Sequence, residues 1–490
     1  MDINPNINQF IKLAKKHNLI VLSHKFYCDW LTPVSIYARL RKRFKGESFL
    51  LESVEGEEKV SRFSFLGFSP LQTFRSKGRT INLSGVHTRI FQTAQDPIYE
   101  LKELMSRFSV APLENLRFFG GFVGYAGYDI ARFYEPIGKE LPDKAGLADT
   151  YFILPKFLII FDHVKRQIEI LSFAAIGEKK NIRRIYAREK QNLIKLFEDI
   201  AASPGLPPLK FCLKKIGIRS NFRKKEFMRA VEKIKSHIRR GDIIQAVPSQ
   251  QFSADFDAEP FEVYRYLRIL NPSPYMFFLD FKGVTVAGSS PEMLLRCEKN
   301  ELVTHPIAGT RPRGANEAED IALEKDLLTD TKEIAEHIML VDLARNDLGR
   351  VAEKATVIAP RFKYVERFSH VMHIVSEVRA KLAKNKDIFS AFISCFPAGT
   401  LSGAPKVRAM QIINDIEPQA RGLYGGSIGY FSFTNSMDTC IIIRTILFNN
   451  GKAYIQAGAG IVNDSRPEKE YKETVNKARA QILALQYAQG

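Results

Sequence analysis

Two segments that lie far apart in the chain each place a pair of glutamates on one face of a predicted helix, and any fold has to accommodate both. The periodicity predicts a helix over Thr331–Asp347. Its apolar stripe consists of Ile334, Ile338 and Val341. Glu333 and Glu336 lie beside that stripe, on the side that the helix would bury. Like charges at this spacing weaken an isolated helix by about 0.2–0.5 kcal/mol, so helix stability gives no reason for both glutamates.

The second predicted helix begins near Ser465, which forms a capping-box pattern with Glu468. Glu470, Glu473 and Lys477 share one of its faces. Carboxylates from two distant helices suit a hard divalent cation, because Mg²⁺ takes one or two carboxylates directly and fills its other positions with water and an anionic ligand. The alternative is two solvated helix faces, which is the usual place for glutamate.

Composition excludes several classes of protein. The 490 residues are 45% hydrophobic and 26% charged, which is ordinary for a globular protein. No apolar run reaches the ~18 residues of a membrane span, and the first residues lack a signal-peptide core. The five cysteines are scattered without pairing or metal-ligand spacing. These features predict a cytoplasmic protein without a membrane segment or a disulfide framework.

The formal net charge of +18 is the unusual global property. A nucleic-acid-binding protein typically has its basic residues concentrated on one element, with aromatic residues between them. The basic runs are instead separate and lie mostly on helix-like segments, which favours solvated helix faces. We therefore predict no nucleic-acid partner, and only a modest attraction of an anionic substrate.

The chain divides at a cluster of proline and glycine, Ser203–Pro208, which is the best candidate for a linker. A strand-rich region precedes it, and a new helix–strand pattern follows. We therefore predict an N-terminal region over residues 1–210 and a catalytic region over residues 215–490.

Two side chains in predicted strands have two possible roles each. Arg444 interrupts the apolar strand predicted over Thr439–Phe448, so it either pairs internally or binds a carboxylate in bidentate fashion. His373 alternates with valines, which is typical of a core histidine as well as of an acid or base. The glycine-rich stretches fit tight turns and bulges, or a backbone that approaches an anion.

Five segments together resemble the signature motifs of the chorismate-utilising enzymes, and most closely those of the anthranilate synthase large-subunit (component I) family. They are Pro306–Gly314, Glu336–Leu348, Gly399–Met410, Gln456–Val462 and Asn476–Ala478. The resemblance implies an α+β fold, in which large antiparallel β-sheets pack as a sandwich with helices on the outside. It also implies an active site in the cleft between the sheets.

The resemblance implies a set of site residues for chorismate and Mg²⁺. Glu336 and Glu473 would hold the metal, and Glu333 and Glu470 would support it through water. The residues implied to bind the substrate are Gly309, Thr310, Tyr424, Arg444, Gly458, Ala459 and Gly460. The implied catalytic residues are Glu292, a general acid for the leaving 4-hydroxyl, and His373 and Thr400, which act in the elimination of pyruvate.

Two positions distinguish the chemistries of this family. Isochorismate synthases resemble this chain around Gln245 but have a water-activating lysine there, and aminodeoxychorismate synthases have a nucleophilic lysine where Ala308 stands. Since both lysines are missing, the nucleophile has to come from outside, which suits ammonia. Aminodeoxychorismate synthesis remains the nearer alternative, and a non-catalytic basic binding module the remoter one.

A regulatory site and a partner are also implied. Ser53, Pro274, Tyr275 and Met276 resemble a feedback pocket for L-tryptophan, although ordinary strand and turn packing is the alternative. No cysteine has glycine neighbours, so the chain lacks the tight turn of a glutaminase nucleophile. We therefore expect a separate glutamine amidotransferase small subunit to supply ammonia, in a heterotetramer of two large and two small subunits.

Overall fold

The computed structural model describes residues 1–53, 62–113, 116–177, 181–202, 205–368 and 371–490. Its strands are β1 (Leu19–Tyr27), β2 (Ser48–Glu52), β3 (Phe63–Lys77), β4 (Thr80–Gly85), β5 (Arg89–Gln92), β6 (Gly121–Ala126), β7 (Thr150–Asp162), β8 (Gln167–Ala175), β9 (Arg219–Ser220), β10 (Gln245–Ala246), β11 (Ser249–Asp255), β12 (Tyr275–Phe281), β13 (Val284–Ser290), β14 (Met293–Glu298), β15 (Glu301–Thr304), β16 (Ile307–Pro312), β17 (Ile358–Arg367), β18 (Val371–Lys381), β19 (Gly403–Ala404), β20 (Ser427–Ser432), β21 (Met437–Ile441), β22 (Thr445–Asn449) and β23 (Lys452–Gly458).

The helices are α1 (Ile7–Leu13), α2 (Pro33–Arg43), α3 (Pro97–Ser106), α4 (Ile182–Ala201), α5 (Lys224–Arg239), α6 (Pro260–Leu270), α7 (Glu317–Thr329), α8 (Thr331–Gly349), α9 (Ile388–Cys395), α10 (Gly399–Ser402), α11 (Lys406–Ile416), α12 (Pro467–Lys477) and α13 (Arg479–Ala488). A short 3₁₀ helix covers Tyr128–Phe133. No helix in the described ranges has both the length and the apolar character that a membrane crossing requires.

The strands form an antiparallel network that crosses the predicted boundary near residue 210. β2 pairs with β12, with Leu51 opposite Phe277, and β6 pairs with β20, with Gly124 opposite Gly429. The N-terminal region therefore contributes strands to the same sheets as the C-terminal region. The functional division into residues 1–210 and 215–490 stays a prediction.

Alternate residues of the strands face two different apolar clusters, as the period of two requires. On β2, Phe49 faces an inner cluster and Leu50 an outer one, and Phe277 and Phe278 divide in the same way on β12. The inner cluster joins strands from both regions, whereas the outer cluster includes α1, α2, α4, α6 and α13. The predicted α+β sandwich with outer helices is confirmed.

Gly205 to Ile218 form no helix or strand, as predicted for a linker, while Ser203 and Pro204 of the predicted cluster lie outside the described residues. The linker is nevertheless held in place. Arg265 on α6 donates to the Pro207 carbonyl at 2.6 Å, and Tyr266 donates to the Lys210 carbonyl at 2.6 Å.

One local prediction on the glutamate helices is wrong, and another is correct only in part. α12 starts at Pro467 after Arg466, and no side chain caps it, so the Ser465–Glu468 capping box does not form. In α8 the predicted apolar stripe is buried only in part, because Val341 is buried and Ile334 is half-buried but Ile338 is 38% exposed. The residues that α8 buries are His337, Leu340, Val341, Asp347 and Leu348.

Candidate active site

The two glutamate helices approach one another at their N-terminal ends. Glu333 and Glu336 on α8 and Glu470 and Glu473 on α12 are all partly buried. The charge of Lys332, in the first turn of α8, lowers the pKa of Glu470 on α12. The structure therefore brings both predicted carboxylate pairs to one side of the molecule.

Within each carboxylate pair, one glutamate has a raised pKa to which the charge of the other contributes. Burial, followed by the negative charges of Glu336 and Asp330, raises the pKa of Glu333. Burial raises the pKa of Glu470, and the charge of Glu473 adds to the effect. A bound cation would relieve this repulsion.

The donor set fits a Mg²⁺ ion that takes part of its coordination from water and substrate. Glu336 Oε1 accepts a hydrogen bond of 2.9 Å from Gln245 Nε2, which orients that carboxylate, and Glu473 pairs with Lys477 at 2.7 Å. Across the described ranges, no three acidic, histidine or cysteine side chains form a metal site by themselves. Two glutamates with water and an anionic ligand are a usual Mg²⁺ environment. The magnesium site stays a prediction.

The end of β23 and the residues that follow it approach the side chains of Tyr424, Gln245 and Glu336 closely. A Cβ atom on Gly460 would lie 2.7 Å from Gln245 Nε2 and 3.8 Å from Glu336 Oε1. A Cβ atom on Gly458 would lie 2.6 Å from the Tyr424 hydroxyl. The glycines therefore let the Tyr424 hydroxyl and the Gln245 amide approach the backbone closely, and Ala459 is buried between the two glycines.

A bulge places His373 beside Gly309 and Thr310. Gly309 shifts the register of β16 against β18 and has a φ of +69°, which favours glycine. His373 Nδ1 lies 2.8 Å from the Gly309 carbonyl oxygen and 3.1 Å from Thr310 Oγ1. Because a carbonyl only accepts, Nδ1 donates and Nε2 carries the lone pair. Burial lowers the pKa of His373, as do the charges of Arg444 and Lys477, so the ring is a neutral base at pH 7.

Glu292 follows β13 and has the most perturbed carboxyl of the predicted site. Burial raises its pKa to about 7, although Thr400 and Lys477 partly offset that effect. The Thr400 hydroxyl is buried beside it without a regular hydrogen-bond partner in the described chain. Glu292 therefore retains a proton near neutral pH, as a general acid requires.

Arg444 does not lie in a continuous strand, contrary to the prediction. The predicted strand breaks into β21 and β22, and Arg444 lies between them with a φ of +52°. Its guanidinium has no hydrogen-bond or ion-pair partner among the described residues, and burial lowers its pKa. The Tyr424 hydroxyl and the negative charge of Glu473 partly offset that lowering of the pKa. Of the two predicted roles, an unpaired guanidinium favours binding of a substrate carboxylate.

Lys477 has contacts that the sequence analysis did not assign. Besides the ion pair with Glu473, its Nζ donates to the Gly458 carbonyl at 3.1 Å. Its charge lowers the pKa of both Glu292 and His373. Its position one turn after Glu473, within the motif Asn476–Ala478, is the sequence signal that points to it.

The four residues of the predicted regulatory pocket line one cavity. They are Ser53, Pro274, Tyr275 and Met276. Arg117 and Asp438 are among the other residues that line the cavity, and they were not found from the sequence. Asp438 accepts hydrogen bonds of 3.0 Å from Tyr275 Oη and from Arg296 Nε, and Arg117 also donates to it.

Comparisons with known proteins give a consistent result. The family model of chorismate binding enzymes matches residues 46–483. The chain is 44% identical to anthranilate synthase component 1 of Acetivibrio thermocellus, over 99% of both chains. It is 45% identical to the same component of Aquifex aeolicus, over 100% of this chain and 99% of that one.

Solved structures show the same architecture. The crystal structure of anthranilate synthase component I from Streptococcus pneumoniae TIGR4 has a TM-score of 0.78 and 36% sequence identity, and the match covers 93% of this chain and 98% of that one. The menaquinone-specific isochorismate synthase of Escherichia coli, at 18% identity and a TM-score of 0.73, shares the fold over 98% of this chain and 99% of that one.

Proposed function

Because the chain belongs to the family of chorismate-binding enzymes, we propose that it converts chorismate and ammonia to anthranilate and pyruvate, as the first step of tryptophan biosynthesis. The observation that carries the proposal is Glu292, a carboxyl with a pKa of about 7 beside Thr400 in a site without a lysine nucleophile. Family membership makes the chain an enzyme, so a purely basic binding module no longer accounts for it.

The first step forms a C–N bond and breaks a C–O bond. Ammonia adds at C2 of chorismate, both ring double bonds shift by one position, and the 4-hydroxyl leaves as water with the proton of Glu292, while the new ammonium group gives up a proton to the carboxylate or to solvent. Gln245 and Ala308 supply neither a water-activating base nor a covalent amine, so ammonia from solution or from a partner is the nucleophile.

The second step releases pyruvate and makes the ring aromatic. His373 Nε2, the lone-pair nitrogen, is placed to take the proton from C2 while the C3–O bond breaks, and Thr400 assists the departing enolpyruvyl group. The enolpyruvate then takes up a proton at carbon and becomes pyruvate. The result is one pyruvate for each anthranilate.

The substrate is held through its two carboxylates and its ring. Arg444, together with Tyr424, would bind the enolpyruvyl carboxylate, and the backbone at 458–460 would lie along the ring; the buried guanidinium without a partner among the described residues supports this role. Gly309 and Thr310 adjoin His373 at the other side of the site.

Glu336 and Glu473 would hold Mg²⁺, with Glu333 and Glu470 supporting it through water. When bound, the metal neutralises the charge of the ring carboxylate, which would otherwise face four glutamates. The mutual repulsion within each glutamate pair supports this assignment.

The ammonia donor is a glutamine amidotransferase small subunit, and the active assembly is a heterotetramer in the cytoplasm. The name component 1, carried by the relatives in Acetivibrio thermocellus and Aquifex aeolicus, describes them as one component of a larger enzyme.

L-Tryptophan is the feedback inhibitor, bound in the cavity formed by Ser53, Pro274, Tyr275 and Met276. Flat aromatic and thioether side chains suit an indole ring. Millimolar tryptophan should slow the reaction and raise the melting temperature. If it does neither, the cavity has another role.

The direct test is to incubate the purified chain with chorismate, Mg²⁺ and ammonium, while following anthranilate fluorescence and assaying pyruvate. We expect both products to appear and both to be lost with EDTA. Chorismate consumed without pyruvate would reassign the chain to aminodeoxychorismate synthesis. No consumption of chorismate would contradict the proposed activity.

A further inference from the structure

A buried ion pair that the proposed chemistry does not use lies behind the active site. Glu417 follows α11, and Arg421 lies four residues later in the loop before β20. Their side chains are only 3% and 2% exposed, and they meet at 2.7 Å.

Arg421 satisfies its donors on three different segments of the chain. Nε and Nη2 donate to Glu417, Nη1 donates to the Leu401 carbonyl at 2.7 Å, and Nη2 also donates to the Val247 carbonyl at 2.6 Å. Glu417 in turn accepts from both the backbone N–H and the hydroxyl of Ser249 at 2.8 Å. The Glu417–Arg421 pair therefore connects the segments around residues 247, 401 and 421 through hydrogen bonds.

Each of these segments carries or contacts a predicted site residue. Leu401 directly follows Thr400. The carbonyl of Pro248, next to Val247, accepts a hydrogen bond of 3.2 Å from Ala459 N. The guanidinium of Arg421 lies 5.5 Å from the centroid of the Tyr424 ring.

Stability alone does not explain this pair. Removing two charges from water costs several kcal/mol, and well-packed apolar residues often replace a buried ion pair without loss of stability. A planar guanidinium with five donors, by contrast, fixes the relative positions of several acceptors at once.

We propose that Arg421, oriented by Glu417, is a positioning residue that holds Thr400, Tyr424 and the 458–459 backbone in the geometry required for chorismate. This inference rests on the proposed function and extends it to residues outside the substrate site. Because small displacements of reacting groups reduce rates strongly, a change at the pair should alter catalysis as well as stability.

The test compares Glu417→Gln with Glu189→Gln as a matched control. Glu189 is also a fully buried glutamate in an ion pair, 2.9 Å from Lys156 on β7, far from the site residues in the sequence. Arg421→Lys is the second test variant, since it keeps the charge but loses the planar fork. The readouts are the melting temperature, the KM and kcat for chorismate, and the pyruvate released per chorismate consumed.

We expect all three variants to lower the melting temperature. Only Glu417→Gln and Arg421→Lys should raise the KM for chorismate, by at least about tenfold. They should also lower the yield of pyruvate per chorismate, because a displaced Thr400 impairs the second step. The rise in melting temperature with tryptophan should persist, since that cavity lies elsewhere.

The proposal is overturned by the following combination of results. Glu417→Gln and Arg421→Lys have the same melting temperature as Glu189→Gln, and their KM, kcat and yield of pyruvate equal those of the wild type. If the wild type makes no anthranilate, the proposed function fails separately. The positioning role is then judged by the rise in melting temperature with chorismate, which Glu417→Gln should lose and Glu189→Gln should keep. Its retention in Glu417→Gln would again overturn the proposal.

Discussion

The environment of Glu292 determines which chemistry its carboxyl can perform. Burial raises its pKa to about 7. Asp320, an acidic residue on α7, has the opposite environment, since the Arg313 guanidinium and the Gly314 N–H lower its pKa to about 2. One carboxyl therefore donates a proton near neutral pH, whereas the other remains an anion.

We predict that the activity of the free enzyme falls at alkaline pH. Glu292 has to be protonated to act as an acid, so ionisation above a pKa of about 7 removes the donor. With free ammonia held constant, kcat/KM for chorismate should fall above that pH, approaching about tenfold per pH unit. A profile that stays level between about pH 6 and pH 9 would refute the acid role.

Replacing Glu292 with glutamine should remove the pH dependence of stability that this carboxyl causes. The pKa is higher in the folded than in the unfolded state, so the contribution of the carboxyl to stability is largest at low pH and is lost as pH rises through about 7. Glutamine does not titrate, so the melting temperature of Glu292→Gln relative to wild type should increase between about pH 5 and pH 8. A constant difference over that range would show that the carboxyl is not perturbed.

Replacing Glu336 with glutamine tests the metal assignment at a single residue. The change keeps the size of the side chain but removes a charged ligand, so Mg²⁺-dependent turnover should fall by more than about tenfold, or ~1.4 kcal/mol. The melting temperature should also lose its response to Mg²⁺. Glu468→Gln is the control, because Glu468 is exposed and forms an ion pair with Lys224 on α5. Retention of over a tenth of the wild-type rate in Glu336→Gln would contradict the assignment.

At the scale of elements, the start of α8 is held by one arginine from β16. Arg311 donates to Asp326 at 2.6 Å and to Asp330 at 2.8 Å, and it lies 3.7 Å from Glu333. Asp330 also caps α8 by accepting from the N–H groups of Lys332 and Glu333. Arg311 therefore links the strand that bears Gly309 to the helix that bears the predicted metal ligands.

We predict that Arg311→Ala weakens the response to magnesium. Partners that orient metal ligands affect metal affinity by roughly 10-fold or more, so the Mg²⁺ concentration for half-maximal activity and for half of the thermal shift should rise by that factor. Arg345→Ala is the matched control on the same helix, because Arg345 is 54% exposed and forms its ion pair with Asp342 at the surface. If the two variants respond to the same Mg²⁺ concentrations, Arg311 does not orient the metal ligands.

Local sequence patterns predict that a helix or strand exists more reliably than they predict the residues at which it begins and ends. The sequence places α8 within two residues of its observed end, because apolar spacing and an acidic N-terminus agree over five turns. The cap at Ser465 and the strand through Arg444 were wrong, since a cap depends on how the preceding loop packs and a positive φ leaves no pattern in the sequence.

At the scale of the whole molecule, the long-range strand pairs are the features that the sequence alone does not reveal. Ser53 follows β2 and Met276 lies on β12, and they share a cavity only because these two strands are neighbours. Arg117 and Asp438 enter the same cavity from two other segments. The predicted pocket residues came from resemblance to a family, whereas the polar network around Asp438 required the fold.

The strand pairing also connects this cavity to the active site. Tyr275 on β12 lies opposite Ser290 on β13, two residues before Glu292. Asp438 lies on β21, and the chain continues from that strand to Arg444. Two of the strands around the cavity, β13 and β21, therefore lead into the segments that carry the predicted site residues Glu292 and Arg444.

The source of the amino nitrogen and the fate of the enolpyruvyl group test the proposed reaction most directly. The purified chain alone is given chorismate, Mg²⁺, ¹⁵N-labelled ammonium and unlabelled glutamine, and the products are identified by mass spectrometry. The account predicts anthranilate that carries only ¹⁵N, with one pyruvate for each molecule formed. Unlabelled anthranilate would show that the chain uses glutamine itself, and an aminated product that keeps its enolpyruvyl group would contradict the proposed reaction.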